Sequence, residues 1–215
     1  NILKNKILIC GMGDQSYSVI DIINEQDKFE IVGFVDKKKS KNMYKYPYLG
    51  TDKVLKKLFE KGVNYAFPAI GIGKNVDIYL REKVFNSLKN IGFKIPNLIS
   101  KNAIINQGVK MNEGNLVMAG SILDNFVKLG SNISIGINCS IGHSSKIFNN
   151  ATLAGGVVLN GSTKIGKNTF IGMASVIYES VGNYCKIMPN ITVMDKIGSK
   201  SIVFNDISNK VFKSK

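Results

Sequence analysis

The 215-residue chain has no tryptophan, a single histidine at His143, a single arginine at Arg81, four prolines and three cysteines. One histidine cannot supply the three-imidazole sets of common catalytic zinc sites, and no Cys or His pair has ligand spacing, so no metal is expected. Cys10, Cys139 and Cys185 are too few and too far apart for a disulfide framework, and are expected to be buried and reduced. No window approaches the roughly 18 to 20 apolar residues of a membrane span, and the apolar start Ile7–Cys10 is too short for a signal-peptide core. A soluble, cytoplasmic protein without a membrane span is therefore expected. Arginine is scarce although the formal net charge is +14, a balance that suits a polyanion such as nucleic acid, a membrane surface or a phosphate-rich small molecule. The lysines are spread along the sequence with no arginine cluster or recognition motif, so no nucleic-acid partner is expected. The abundance of Ile and Asn reads as a compositional bias.

A hydrophobic fraction of 44% in a chain of this length implies an ordered protein with room for two modest domains. Up to about residue 97, short apolar runs alternate with helical patterns. Lys6–Cys10 reads as a buried strand ending in the turn Gly11-Met-Gly13, and Val19, Ile20, Ile22 and Ile23 then share one face of a helix. Phe29–Val35 reads as a second strand closed by Asp36, and a helix near Val54–Lys61, a strand at Tyr65–Ile70 and an amphipathic helix at Val76–Ile91 follow. This is a small Rossmann-like α/β domain with a parallel sheet.

From residue 98 the period changes. Ile99, Ile105, Met111, Val117, Leu123, Leu129, Ile135, Ile141, Ile147, Leu153, Leu159, Ile165, Ile171 and Ile177 fall on a step of six. Neither a helix nor an antiparallel sheet repeats at six, whereas a left-handed parallel β-helix of hexapeptide repeats turns one inward aliphatic to its axis per face. Val181, Ile187 and Val193 keep the step but arrive two residues early, which implies a shortened corner. Residues 199–215 break the repeat and read as a C-terminal tail or cap. The three-part division is thus 1–97, 98–198 and 199–215. Flat uncovered faces make an oligomer more natural than a monomer.

Chemistry concentrates in two places. His143, two residues after the inward Ile141, projects from a corner, and Gly161 lies eighteen residues on, one coil along. An imidazole suits proton removal from an attacking amine or hydroxyl, and a neighbouring backbone N–H suits a developing oxyanion. The second place is the Gly11-Met-Gly13-Asp-Gln-Ser16 turn between a strand and a helix, with Asp36 ending the second strand and Gly71 and Gly73 following the third. Such strand ends bring backbone N–H groups to a phosphate and an acid to a sugar hydroxyl. Ser16 replaces the third glycine of the dinucleotide fingerprint and the domain is half the length of a full dinucleotide fold, so NAD is not expected.

Ile9-Cys-Gly-Met-Gly13, Gly33-Phe-Val-Asp-Lys37, Ala69-Ile-Gly71 with Arg81, Gly92-Phe-Lys-Ile-Pro-Asn-Leu-Ile99 and Gly161-Ser-Thr-Lys-Ile-Gly-Lys-Asn-Thr-Phe-Ile-Gly172 together resemble the bacterial sugar acyltransferases of the PglD/NeuD type, over nearly the whole chain. The resemblance implies a homotrimer whose first domain holds a nucleotide sugar and whose β-helices hold acetyl-CoA in the groove between neighbours. It implies His143 as catalytic base, Gly11, Gly13, Asp14, Gln15, Asp36, Lys37 and Gly71 as nucleotide-sugar contacts, and Thr152, Gly161 and Met173 as lining of the acetyl-CoA groove. Ser144 stands where the family places an acid beside the histidine and is kept as a catalytic candidate. Gln15 and Thr152 stand where relatives often have histidines, and Ser201-Ile-Val-Phe-Asn-Asp206 replaces the usual Gly-x-Pro-Ala ending. The implied activity is metal-free transfer from acetyl-CoA to the amine of a nucleotide-linked 4-amino-4,6-dideoxy sugar. Two alternatives stay open: a sugar O-acetyltransferase of the sialic acid kind, and a catalytically weakened sugar-binding scaffold suggested by Ser144 and the missing histidines.

Overall fold

The structure, a computed structural model, describes residues 4–39, 45–71 and 77–205. Gly73, Val76 and the tail from residue 206 lie outside the described residues. The first part holds four parallel strands, β1 (Asn5–Cys10), β2 (Phe29–Val35), β3 (Tyr48–Gly50) and β4 (Tyr65–Pro68), in the order β3-β2-β1-β4. Helices α1 (Gln15–Gln26), α2 (Leu55–Glu60) and α3 (Leu80–Ile91) connect or flank them. The hydrophobic centre is set by β1, whose Ile7, Leu8 and Ile9 are fully buried, and by the α1 face carrying Val19, Ile20, Ile22 and Ile23. The sequence reading missed β3, a three-residue strand too short to carry a period. The helix expected from Val76 begins at Leu80, because Asp77 to Tyr79 form a turn in which the Asp77 carboxylate accepts the Tyr79 N–H at 2.8 Å.

From Leu98 onward the chain winds as the left-handed parallel β-helix that the six-residue step implies. Two-residue strands stack into three flat faces. The first runs Leu98–Ile99, Leu116–Val117, Ser134–Ile135, Thr152–Leu153, Phe170–Ile171, Lys186–Ile187 and Ile202–Val203. The second starts at Ile104–Ile105 and ends at Thr192–Val193, and the third runs from Lys110–Met111 to Lys164–Ile165. Axial residues from Val117 to Val193 are at most 4% exposed, whereas Ile105 in the first coil, with no coil beneath it, is 37% exposed. Ile202–Val203, expected in the tail, pairs with Lys186–Ile187 and so extends the coil beyond Gly198.

Two further columns follow from the same stacking. Two residues before each axial side chain lies a second buried position, filled by small or hydroxylated residues such as Ser121, Ser145, Thr163, Thr169 and Ser175. Their hydroxyls satisfy corner backbone groups: Ser121 Oγ donates to Gly136 O at 2.6 Å and accepts Cys139 N–H at 3.1 Å. Three residues before each axial side chain the backbone turns left-handed, as at Asn132, Asn138, Asn150, Asn168 and Asn190. Asn tolerates that region better than other side chains with a Cβ, so the Asn and Ile richness is architectural rather than a mere bias. The shortened corner recurs once per coil, since Ile165 pairs with Val181 and Val181 with Ile197.

Leu153 is fully buried on the axis, so Leu153→Ala should lower unfolding free energy by about 2–5 kcal/mol. Lys128→Ala on the outer surface should change it by no more than about 0.5 kcal/mol. Equal losses in chemical denaturation would contradict this assignment of inside and outside.

Candidate active site

Because the four strands of the first domain are parallel, their C-terminal ends share one edge. The order β3-β2-β1-β4 sends the chain to opposite sides of β1, and the crevice between β1 and β4 is where ligands bind in open α/β sheets. Gly11 to Gln15 and Ala69 to Gly71 line it. Gly11 has φ +119°, and a Cβ there would lie 2.6 Å from Ala69 O, so this glycine is required by close packing. Gly13 has open space around the position a Cβ would take. Asp36 ends β2 with Oδ2 accepting Met12 N–H at 2.7 Å and Oδ1 accepting Lys37 N–H at 2.6 Å, and so pins the glycine-rich turn. Its influence and, above all, burial push the neighbouring Cys10 thiol up to about 12, which keeps it neutral.

Asp14 is exposed at the start of α1 and makes no capping bond with its side chain. Gln15 packs its side chain over Gly71, where a Cβ would come within 3.1 Å of Oε1. The Gln15 amide also lines a narrow cavity with Phe67, Ile70, Arg81, Asn132 and Ile133. Thus Gly13, Asp14, Gln15, Asp36, Lys37 and Gly71 do gather at one edge, with Gly11 beneath them.

On the β-helix, His143 and Ser144 occupy the corner between the second and third faces. His143 is exposed, and a Cβ on Gly161 would lie 2.5 Å from its Nε2. Only glycine at 161 lets the imidazole lie against the next coil. Gly142, which precedes the histidine, has equally little room: a Cβ there would meet Gly161 N at 2.6 Å. Among the described residues the Gly161 N–H has no acceptor, while the following Ser162 N–H is held by His143 O at 2.7 Å. Ser144 has φ +60°, as a left-handed corner residue, and its Oγ stands 3.5 Å from His143 Nδ1, at the outer limit of a hydrogen bond.

A carboxylate does reach this corner, from one coil earlier. Asp124 Oδ1 accepts Asn125 N–H at 2.7 Å and Asn106 Nδ2–H at 3.0 Å. These bonds, followed by the nearby charge and backbone N–H of His143, hold its carboxyl below the usual carboxylate range. Its position follows from the same stacking, since Leu123 pairs with Ile141 and so sets Asp124 level with Gly142, the neighbour of His143.

Thr152 and Met173 lie elsewhere in the chain. Thr152 points outward from the first face, where the first domain covers it, and is 7% exposed with Oγ1 unpartnered. Met173 is 59% exposed at the corner between the first and second faces. A single chain therefore does not bring either beside His143. Between the two corners runs the second face, whose outward Ile104, Ile122 and Val158 are 39–54% exposed.

The domains are joined by α3, a role the sequence reading did not assign to it. Arg81, only 4% exposed, donates Nη2–H to Ala151 O at 2.8 Å and Asn150 O at 3.2 Å. Burial lowers its pKa to about 10, leaving it charged at neutral pH. Glu82 accepts from Asn150 Nδ2 at 2.9 Å and Asn168 Nδ2 at 2.7 Å. Asparagines spaced by eighteen at 132, 150 and 168 were the available signal for this seam. Among the described residues no three His, Cys, Asp or Glu side chains group to hold a metal ion, and no helix is long and apolar enough to cross a membrane.

Residues 6–88 match the model of the PglD N-terminal domain family. Among curated proteins no sequence matches the chain significantly. Three solved structures share its fold. A histidine-to-asparagine mutant of perosamine N-acetyltransferase from Caulobacter crescentus, in complex with CoA and GDP-perosamine, is 22% identical, with 94% of this chain and 93% of that one covered and a TM-score of 0.86. The acetyltransferase domain of PglB from Neisseria gonorrhoeae FA1090, in complex with acetyl coenzyme A, is 20% identical over 93% and 96%, with a TM-score of 0.85. WeeI from Acinetobacter baumannii AYE is 18% identical over 90% and 96%, with a TM-score of 0.58. The PglD/NeuD resemblance read from the sequence is therefore borne out: residues 6–88 match the PglD N-terminal domain family, and the whole chain shares the fold of these solved structures.

Proposed function

We propose that the protein transfers an acetyl group from acetyl-CoA to the amine of a nucleotide-linked 4-amino-4,6-dideoxy sugar. The observation that carries this reading is the His143 imidazole laid against Gly161, whose N–H has no acceptor among the described residues. The amine attacks the thioester carbonyl and His143 takes its proton. The Gly161 N–H holds the developing oxyanion, and collapse of the tetrahedral intermediate expels the CoA thiolate, which receives that proton. No covalent acyl-enzyme forms, and Asp124 supplies the carboxylate that Ser144 does not. Two of the solved relatives support the substrate classes: one holds CoA with GDP-perosamine, the other acetyl coenzyme A.

The working unit is a homotrimer. The exposed apolar second face separates the His143 corner from the corner bearing Met173. A cyclic, head-to-tail contact burying that face sets His143 and Gly161 of one copy against Thr152, Met173 and the sugar crevice of the next. Acetyl-CoA lies in the groove so formed.

Incubation with acetyl-CoA and a panel of GDP-, UDP- and dTDP-linked 4-amino sugars should add one acetyl mass to a single conjugate and release thiol. His143→Ala should cut turnover by about 10²–10⁴-fold while leaving CoA and sugar affinities largely intact. A fully active variant would overturn the assignment. Transfer only to hydroxyl acceptors would replace the amine by the O-acetyl reading, and sugar binding without transfer to any acceptor would leave a scaffold. Asp124→Asn should lower kcat with little change in KM; an unchanged kcat would remove Asp124 from the mechanism.

A further inference from the structure

The seam between the two domains holds a row of side-chain amides with a fixed direction. Glu82 Oε1 accepts from Asn150 Nδ2 at 2.9 Å, so Asn150 turns its oxygen the other way, where it accepts from Asn132 Nδ2 at 2.9 Å. Asn132 Oδ1 is therefore the acceptor end of the row. Among the described residues it has no donor, although Asn132 is only 1% exposed. Asn132 lines a narrow space of about 180 Å³ together with Gln15 and Arg81, and Gln15 Nε2 and Arg81 Nε are likewise buried donors without an acceptor among the described residues. The space is too tight for a water molecule. One acceptor thus meets two donors across it, and an amide oxygen can accept from both. A small shift that joins them relieves buried polar groups that are costly to leave unpaired.

Gln15 also belongs to the crevice of the first domain. Its nitrogen lies in the seam, and its Oε1 lies 3.1 Å from the position a Cβ on Gly71 would take. We propose that Asn132 is a positioning residue for the crevice: its Oδ1 takes the Gln15 Nε2–H, and Gln15 Oε1 is thereby held toward the crevice as an acceptor. The direction set at Glu82 passes through Asn150 and Asn132 to Gln15, in the way outer partners orient a ligand-holding side chain. Hydrogen bonds in such a row strengthen one another, so a hydroxyl or N–H of the bound molecule given to Oε1 tightens the Gln15–Asn132 link. A group able only to accept is disfavoured there, since it would leave Oε1 unpaired. The identity of the molecule, a nucleotide-linked sugar, rests on the acyl-transfer reading above; the relay rests on the buried amides.

Asn132 has φ +57°, a conformation that glycine adopts without strain and that Ser144 and Ser162 adopt at other corners, so Asn132→Gly and Asn132→Ser both remove the relay and keep the turn. Asn168→Gly, at φ +53°, gives up a 2.7 Å bond to Glu82 but leaves the relay whole, and is the control. The test is calorimetric titration with the GDP-, UDP- and dTDP-linked 4-amino sugars, together with initial rates of acetyl transfer to the conjugate that reacts. The Asn132 variants should weaken that conjugate by roughly tenfold in Kd and KM while the KM for acetyl-CoA stays within about twofold of wild type. Gln15→Met should weaken it to a similar degree, with no further loss when combined with Asn132→Gly. Unchanged sugar affinity in the Asn132 variants, or equal weakening by Asn168→Gly, would overturn the relay and spare the acyl-transfer reading. Asn132-dependent sugar binding without any acetyl transfer by wild type would do the reverse. If wild type binds no conjugate, both fall.

Discussion

Residues one coil apart are forced into register because each face contributes one axial side chain and all the axial side chains must share one narrow prism. Every other feature of the second domain depends on that constraint. Leu153 fills the axis because Ile135 and Ile171 lie below and above it in the same sheet. Asparagines spaced by eighteen become a hydrogen-bonded column, with Asn132 Nδ2 donating to Asn150 Oδ1 at 2.9 Å. Lys110, Lys128, Lys146 and Lys164, with the same spacing, become a strip of exposed charge on the third face. The His143 ring meets Gly161 for the same reason, so the candidate site is a by-product of stacking rather than of a specialised loop.

Much of this was legible in the sequence because one period carries it. The axial ladder, the shortened corner and the Gly161 partner of His143 all follow from counting by six or eighteen. The lysine strip obeys the same count, yet the lysines read as spread out, since charge was judged along the chain and not across coils. Ser144 was read as a departure from the family's acid; its left-handed backbone also identifies it as an ordinary corner position, where Asn or Ser serves structurally. What counting could not show was which face each domain covers. That depends on Arg81 and Glu82, adjacent on α3, finding the corner carbonyls and asparagines of a distant segment.

The docking of the first domain decides what remains available. With Leu98 and Leu116 drawn into its core, the first face is closed over its early coils. The third face repels itself through its lysines. The second face is uncovered and turns Ile104, Ile122 and Val158 outward, and it separates the two halves of the candidate site. Under the proposed function, the chain is thus half of each active site, and assembly is part of catalysis.

That composite site is the central claim, and mixed assembly tests it most directly. One variant would lack the base, His143→Ala. The other, Gly13→Val, would block the sugar crevice at a position where a side chain has space. Each alone should be inactive. Co-expressed, they should regain acetyl transfer, because a mixed trimer pairs an intact base from one copy with an intact crevice from the next. Mixed assemblies that form but stay inactive would place base and crevice in the same chain and contradict the account.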